Sequence, residues 1–357
     1  MPTLHVLPTL TLDSGATLRQ VPVAYQTWGT LNAARDNVVL VCHALTGDTD
    51  AASWWGPLIG PGQVLDTNRF LILCANVLGS PYGSASPLTL DPDTGAPYGP
   101  AFPRTTIRDT VRAHKALLDA LSIQRVQLAI GGSMGGMQVL EWGIYGDFVR
   151  HLVPIAVGGR HSAWCIGWSE AQRQAIFADA RWRGGQYPAD DPPAQGLAAA
   201  RMMAMVSYRT APSFEARFGR ERMAPQDATP PSFSVESYLG YQGRKLVDRF
   251  DANCYVHLTW QMDTHDVAAG RGAYPEVLGT IQQPTLVMGV NTDVLYPLHE
   301  QEELAQYLPQ ATLQVLDSPH GHDAFLMEFD QMTQALRAWM YTQAPALMGV
   351  DASSAVP

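Results

Sequence analysis

A serine flanked by glycines is the first group in this sequence that could carry chemistry. It lies in Gly131-Gly132-Ser133-Met134-Gly135-Gly136, between an apolar run that favours a strand and one that favours a helix. A nucleophilic serine needs its Oγ lifted clear of a sheet, and small residues two positions away on each side let strand and helix pass closely. The pattern predicts a nucleophile elbow at Ser133. A plain glycine-rich turn is the alternative, because Gly-x-Ser-x-Gly also arises by chance.

A nucleophile elbow requires an acid and then a histidine later in the chain. Asp293 follows the apolar run 286–290, and His322 follows the apolar run 313–316. The imidazole would take the serine proton, and the carboxylate would fix its tautomer and stabilise the imidazolium. Asp293 could instead cap a turn or a helix, and His320 is a second candidate for the base. A metal site would need further ligands, which neither a His-x-x-x-His pattern nor a carboxylate cluster supplies.

Two backbone N–H groups complete the predicted site as an oxyanion hole. One belongs to Met134, directly after the serine. The other is assigned by position to Leu45, in the segment His43-Ala44-Leu45-Thr46-Gly47 that follows a predicted strand. His43 also fits a core histidine held by a hydrogen bond.

The elements that must position these groups alternate between strands and helices. Strands are predicted over 37–42, 70–75, 125–130, 151–157, 284–290 and 312–316, and helices over 104–121, 134–145 and 330–341. Strands that are apolar throughout favour a parallel sheet covered by helices on both faces. The segment 160–270 has helical periodicity and no strong strand. We therefore predict an α/β core from 1–159 and 271–345, a helical insertion at 160–270 over the ligand crevice, and a loose tail at 346–357.

Composition excludes several other classes of protein. The 357 residues are 46% hydrophobic and 16% charged, so the chain can bury a sizeable core. No apolar run approaches the roughly 18 residues of a membrane span, and the first residues lack a signal-peptide pattern. A formal charge of −10 disfavours a general nucleic-acid or membrane-surface binder. Cys42, Cys74, Cys165 and Cys254 are widely spaced and fit buried thiols in a reducing cytoplasm.

Motifs along nearly the whole chain resemble those of the homoserine O-acetyltransferase family. They are the setting of Ser133, Gly-Gly-Ser-Met-Gly-Gly-Met-Gln-Val-Leu-Glu-Trp, and the segments 43–48, 76–79, 205–209, 236–239, 249–253 and 321–326. The resemblance implies an α/β-hydrolase fold with Ser133 as nucleophile, Asp293 as acid and His322, rather than His320, as base.

The same resemblance implies that Arg201, Tyr208 and Asp323 bind substrate. Arg201 and Tyr208 are seven residues apart, which places them on one face of a helix, and an arginine fork suits a carboxylate. From the residues alone, an ordinary solvated arginine on a helix is the preferred interpretation of Arg201.

The activity that the resemblance implies is transfer of an acetyl group from acetyl-CoA, a co-substrate, to the γ-hydroxyl of L-homoserine. An acetyl-Ser133 intermediate would give ping-pong kinetics, and the pathway would be methionine biosynthesis. The resemblance also implies a cytoplasmic homodimer that contacts through the helical insertion. We expect no cofactor, metal, nucleic-acid or membrane partner. A succinyl donor, a serine acceptor, and an esterase or thioesterase with the same triad remain as alternatives.

Overall fold

The computed structural model describes residues 2–223 and 233–348 of the chain. The strands are β1 (Thr3–Thr11), β2 (Thr17–Trp28), β3 (Val38–Cys42), β4 (Ile59–Gly60), β5 (Leu65–Asp66), β6 (Leu71–Ala75), β7 (Val126–Gly132), β8 (Leu152–Ile155), β9 (Thr285–Val290) and β10 (Ala311–Leu316). The α-helices are α1 (Ala51–Trp54), α2 (Ile107–Ala120), α3 (Met134–Gly143), α4 (Ala163–Phe177), α5 (Ala194–Ser207), α6 (Ala211–Phe218), α7 (Ser234–Val247), α8 (Ala252–Asp263), α9 (Tyr274–Gly279), α10 (Leu298–Tyr307) and α11 (Phe329–Gln343). Short 3₁₀ turns cover Gly99–Ala101, Gly146–Phe148, Arg183–Gly185, Gly321–Leu326 and Pro345–Met348.

Eight strands form one sheet in the order β1-β2-β6-β3-β7-β8-β9-β10. β2 is antiparallel to β1 and to β6, whereas every pairing from β6 to β10 is parallel. Alternate residues of β3 enter two separate cores, with Leu40 in one and Val39 and Val41 in the other. The predicted mostly parallel sheet, with helices on both faces, is confirmed.

The hairpin of β1 and β2 was not predicted as a pair of strands. β1 lies at the edge of the sheet, and it buries Leu7 and Leu10 while Leu4 and Val6 are exposed. A strand with one solvated face lacks the continuous apolar run that identified the central strands.

Helices α4 to α8 lie between β8 and β9 in the chain, within the segment 160–270. The two ends of this helical insertion meet, because the N–H of His161 donates to the carbonyl of His265 at 2.7 Å and the N–H of Val267 donates to Gly159 at 3.0 Å. Side-chain oxygens of Ser162, Thr210 and Asp251 cap the N-termini of α4, α6 and α8, which fixes where these helices begin. α5 packs between α4 and α7.

The end of the described chain packs against the core. Residues 345–348 form a 3₁₀ turn in which Leu347 is buried, and the guanidinium of Arg69 donates to the carbonyl of Leu347 at 2.7 Å. The rest of the tail predicted at 346–357 lies outside the described residues. The four cysteines are buried and form no disulfide. None of the helices in 2–223 and 233–348 has the length and apolarity needed to cross a membrane.

Candidate active site

Ser133 lies in a sharp turn between β7 and α3. Its backbone has φ 57° and ψ −125°, a conformation that costs a non-glycine residue free energy and is maintained only by its surroundings. The N–H of Ser133 donates to the carbonyl of Ile155 at 3.0 Å, which anchors the turn to β8. The structure therefore has the strained strand-to-helix turn that a nucleophile elbow requires.

Glycines around the elbow allow β3, β7 and α3 to meet without side chains between them. A Cβ on Gly135 would lie 2.1 Å from the carbonyl oxygen of Cys42, and a Cβ on Gly131 would lie 2.6 Å from the same atom. Neither approach is possible for a residue with a side chain, so the glycines are needed for close packing.

The imidazole of His322 is hydrogen-bonded to the carboxylate of Asp293. His322 Nδ1 lies 2.7 Å from Asp293 Oδ2, and both side chains are buried. Asp293 Oδ1 accepts the N–H groups of Leu295 at 2.8 Å and Tyr296 at 3.0 Å, so the carboxylate is held from two sides. With Nδ1 donating, Nε2 of a neutral imidazole carries the free lone pair. Within the described residues, His322 Nε2 has no hydrogen-bond partner.

Three aromatic rings surround the His322 imidazole. The ring centroids lie 5.1 Å away for Tyr296, which is stacked, 5.7 Å for Tyr208 and 5.6 Å for Phe325. Phe325 also joins this group to the elbow, because a Cβ on Gly132 would lie 2.5 Å from its ring. Ser133, Asp293 and His322 thus follow β7, β9 and β10 at the same edge of the sheet. Phe325 packs against the His322 ring on one side and against Gly132 of the elbow on the other.

The two predicted oxyanion donors are available. Across the chain segments that the structure describes, the N–H groups of Leu45 and Met134 donate no hydrogen bond. Gln138 Nε2, on α3, donates to the carbonyls of His43 and Met134 at 3.2 Å each, which ties the loop after β3 to the elbow. The arrangement can hold an oxygen that becomes negatively charged near Ser133.

His43 holds this loop in place from the core. Its Nε2 accepts the N–H of Val77 at 3.1 Å, so the proton sits on Nδ1, which donates to the carbonyl of Ala44 at 2.9 Å. Burial lowers the pKa of His43, which keeps this neutral tautomer. His43 is therefore a hydrogen-bonded core histidine.

The three predicted substrate residues lie next to the hydrogen-bonded pair of His322 and Asp293. Tyr208 contacts the His322 ring, and the guanidinium of Arg201 lies 5.7 Å from the Tyr208 ring centroid. Arg201 forms no ion pair with any described residue. Burial raises the pKa of Tyr208. Burial also raises the pKa of Asp323, although the positive charge of Arg209 acts to lower it.

Two residues of the site were missed by the sequence analysis. Arg209 pairs with Asp323, with Nε at 2.9 Å from Oδ2, and Tyr296 stacks on His322. Arg209 directly follows Tyr208, and Tyr296 lies three residues after Asp293, so proximity to predicted residues was the one available indication. In the described part of the chain, no cluster of three or more His, Cys, Asp or Glu side chains could hold a metal ion.

Comparison with known proteins identifies the fold and the family of the chain. The α/β hydrolase fold model matches residues 37–329. The chain is 64% identical to the homoserine O-acetyltransferase of Salinibacter ruber, over 93% of this chain and 96% of that protein. It is 53% identical to the homoserine O-acetyltransferase of Chlorobium chlorochromatii, over 92% of each.

Solved structures give the same result. Esterase E22 superposes with a TM-score of 0.88 at 28% identity, covering 95% of this chain and 99% of that one. Homoserine O-acetyltransferase from Bacillus anthracis superposes with a TM-score of 0.86 at 25% identity, covering 96% and 98%. The predicted α/β-hydrolase fold is confirmed, and the chain belongs to the homoserine O-acetyltransferase family.

Proposed function

We propose that this chain transfers the acetyl group of acetyl-CoA to the γ-hydroxyl of L-homoserine through an acetyl-Ser133 intermediate. Similarity to proteins named homoserine O-acetyltransferases supports the reaction class. The single observation that carries the choice of acceptor is Arg201, a cation without an ion pair among the described residues, beside the ring that contacts His322. Such a cation suits the α-carboxylate of an amino acid.

In the first half-reaction Ser133 Oγ attacks the thioester carbonyl while His322 Nε2 takes the hydroxyl proton. The carbonyl oxygen becomes an oxyanion, which the N–H groups of Leu45 and Met134 stabilise. Asp293 stabilises the imidazolium through Nδ1. The carbon–sulfur bond then breaks, and the CoA sulfur leaves with the proton from His322, so that acetyl-Ser133 and free CoA remain.

In the second half-reaction the γ-hydroxyl of homoserine gives its proton to His322 and attacks the acetyl carbon. The ester bond to Ser133 breaks, and Oγ recovers the proton from His322. O-acetylhomoserine leaves, and the enzyme returns to its starting state. Because CoA departs before the acceptor reacts, double-reciprocal plots for the two substrates should be parallel.

The acceptor would be held through both charged groups on its α-carbon, the carboxylate and the ammonium. Arg201 is the proposed partner of the carboxylate, and Tyr208 lines the pocket beside it. Asp323 is the proposed partner of the α-ammonium, since its ion pair with Arg209 uses Oδ2, and no described residue donates to Oδ1. This arrangement directs the γ-hydroxyl toward the acetyl carbon.

An esterase or thioesterase is the second candidate function. It is favoured by the similarity to esterase E22, because a triad of this kind serves water and alcohols alike. A succinyl donor or a serine acceptor would also be compatible with the triad.

Mass spectrometry of products separates these functions. Acetyl-CoA, succinyl-CoA and a chromogenic acetate ester would each be incubated with homoserine, with serine, or with water alone. We expect O-acetylhomoserine from acetyl-CoA and homoserine, an acetyl adduct on Ser133, and no adduct on Ser133→Ala. Hydrolysis in place of transfer would identify a hydrolase and reject the proposal.

We also propose a homodimer that contacts through the helical insertion. Trp164, Ile166, Val206 and Tyr241 are exposed apolar side chains on α4, α5 and α7, and burial of exposed apolar surface favours association. Light scattering on the purified protein tests this, and a monomer at micromolar concentration would reject it. A cytoplasmic role in methionine biosynthesis is proposed from the similarity to homoserine O-acetyltransferases, and rescue of a methionine-requiring strain lacking this activity would test the pathway.

A further inference from the structure

Tyr296 contacts both members of the catalytic pair. Its ring is stacked on the His322 imidazole, with a centroid separation of 5.1 Å and an interplanar angle of 29°. Its backbone N–H donates to Asp293 Oδ1 at 3.0 Å. One residue therefore restrains the carboxylate through its backbone and the imidazole through its side chain.

The hydroxyl of Tyr296 is held by the helical insertion. It lies 3.2 Å from Nδ1 of His161, and both residues are buried. His161 Nε2 lies 3.6 Å from Asp263 Oδ1, which is too long for a hydrogen bond, but the nearby carboxylate attracts a proton on Nε2 and so leaves Nδ1 to accept the phenol proton. Burial lowers the pKa of His161 to about 3, so this histidine is neutral near pH 7.

The far end of this connection is anchored inside the insertion. Asp263, at the end of α8, pairs with Arg173 of α4 at 2.7 Å. Arg173 is itself buried and also pairs with Glu170 at 2.9 Å. A continuous set of polar contacts thus runs from two helices of the insertion, through His161, to the tyrosine that is stacked on His322.

We infer that Tyr296 is a positioning residue, which fixes the orientation of the His322 imidazole only while its hydroxyl is bound to His161 of the helical insertion. The Asp293 hydrogen bond fixes one nitrogen of the imidazole, and Tyr296 is the ring that stacks on its face, whereas Tyr208 and Phe325 meet it at larger interplanar angles, so an anchored Tyr296 ring restrains the tilt of the imidazole plane. Seating of the insertion is thereby coupled to the orientation of Nε2, the atom that must meet the Ser133 hydroxyl. The inference rests on the catalytic roles proposed above.

Four variants test this coupling. Tyr296→Phe keeps the ring and the backbone N–H but loses the hydroxyl, and His161→Ala removes the acceptor. His161→Asn places an amide oxygen close to the position of Nδ1 and so retains an acceptor. Tyr187→Phe is the matched control, because it removes a phenol of the insertion that donates to Asp251 at 2.7 Å without contacting His322.

The first measurement is the burst of p-nitrophenolate from p-nitrophenyl acetate, which needs neither CoA nor homoserine. Misplacement of a reacting group by 1 Å can cost up to 10²-fold, and partial loosening should cost less. We expect Tyr296→Phe and His161→Ala to slow the burst about tenfold with unchanged KM for the ester. Their double variant should be no slower, since both remove the same bond. His161→Asn and Tyr187→Phe should stay within about twofold of the parent protein.

The second measurement is the low-field proton resonance of His322 Nδ1–H, assigned by its loss in Asp293→Ala. It should broaden through faster exchange in Tyr296→Phe and His161→Ala, and should be retained in the other two variants. A Tyr296→Phe variant with the burst rate of Tyr187→Phe and an unchanged resonance would overturn the inference. A parent protein without any burst would contradict the role of Ser133, while the resonance would still decide the role of Tyr296.

Discussion

Replacing Arg201 with alanine should separate recognition of the acceptor from the chemistry at Ser133. Arg201 has no ion pair among the described residues, and its guanidinium rests beside the Tyr208 ring at 5.7 Å. Its loss breaks no carboxylate pair, so the free energy of unfolding should fall by less than about 1 kcal/mol. Losing the partner of the homoserine carboxylate should instead cost about 2–4 kcal/mol in kcat/KM for homoserine, or roughly 30- to 700-fold.

Asp323→Ala should behave differently because Asp323 already holds Arg209 in the protein without substrate. The two side chains are 17% and 15% exposed, and their atoms lie 2.9 Å apart. Breaking a fully buried pair costs about 3–5 kcal/mol and an exposed one about 0–1 kcal/mol, so this pair should cost about 1–2 kcal/mol of unfolding free energy. Asp323→Ala should therefore lower both stability and homoserine use, whereas Arg201→Ala should lower only homoserine use.

Three measurements on each variant distinguish these outcomes. Stopped-flow detection of CoA gives the acetylation burst, steady-state rates against homoserine give the second half-reaction, and urea unfolding gives stability. Arg217→Ala is the control, since it removes a guanidinium that lies over the rings of Phe218 and Tyr238 at 5.1 and 4.7 Å. If Arg201→Ala lost the burst as fully as Ser133→Ala, or used homoserine normally, the assignment of Arg201 to the acceptor would be refuted.

Three further predictions concern the catalytic pair, the elbow and the core. Asp293→Asn should reduce turnover by about 10⁴-fold with the fold retained, because His322 would lose its orienting carboxylate; near-normal turnover would place the acid elsewhere. Gly132→Ala should destabilise by about 1–3 kcal/mol and reduce the burst, since its Cβ would lie 2.5 Å from Phe325, whereas Gly279→Ala, with open space around it, should do neither. Burial lowers the pKa of His257 to about 3 from the ordinary 6.5. At pH 5 this imidazole is therefore protonated in the unfolded chain and neutral in the folded protein, so the free energy of unfolding decreases as the pH is lowered. Between pH 7.5 and 5 the parent protein should lose about 2 kcal/mol more than His257→Gln, and equal losses would show that His257 is already protonated in the fold.

The parts of the fold that the sequence predicted are those with continuous apolar runs. β3, β7 and β9 are buried on both faces, so nearly every residue in them is apolar and the pattern needs no knowledge of their neighbours. The edge hairpin of β1 and β2 carries an exposed face that breaks this pattern. Chain order then predicted the acid and the base, because each follows a strand that the run of apolar residues had already identified.

The contacts that organise the site could not be read in the same way. The ion pair of Arg209 with Asp323 joins residues 114 positions apart, and the contact of Tyr296 with His161 joins residues 135 positions apart. Neither pair has a local spacing rule, since each is set by how the helical insertion seats on the sheet. Asp323 could pair with any of several arginines in the sequence, and only the fold determines that Arg209 is the one that lies near it.

The proposed site residues come from two parts of the protein, the α/β core and the helical insertion, and this division bears on the choice of acceptor. Ser133, Asp293 and His322 all belong to the α/β core, and a triad of this kind serves water and alcohols alike, so the proposed catalytic residues alone would not select homoserine over water. Arg201 and Tyr208 stand on α5 of the insertion and at its end, whereas Asp323 follows β10 of the core. The proposed acceptor pocket is therefore complete only when the insertion is seated, which is also the condition under which His161 holds Tyr296 against the catalytic imidazole. An acceptor that bridges Arg201 and Asp323 would hold the helical insertion against the α/β core. Binding of homoserine would therefore favour the arrangement in which His322 is correctly oriented. Water bridges neither residue and would gain no such advantage.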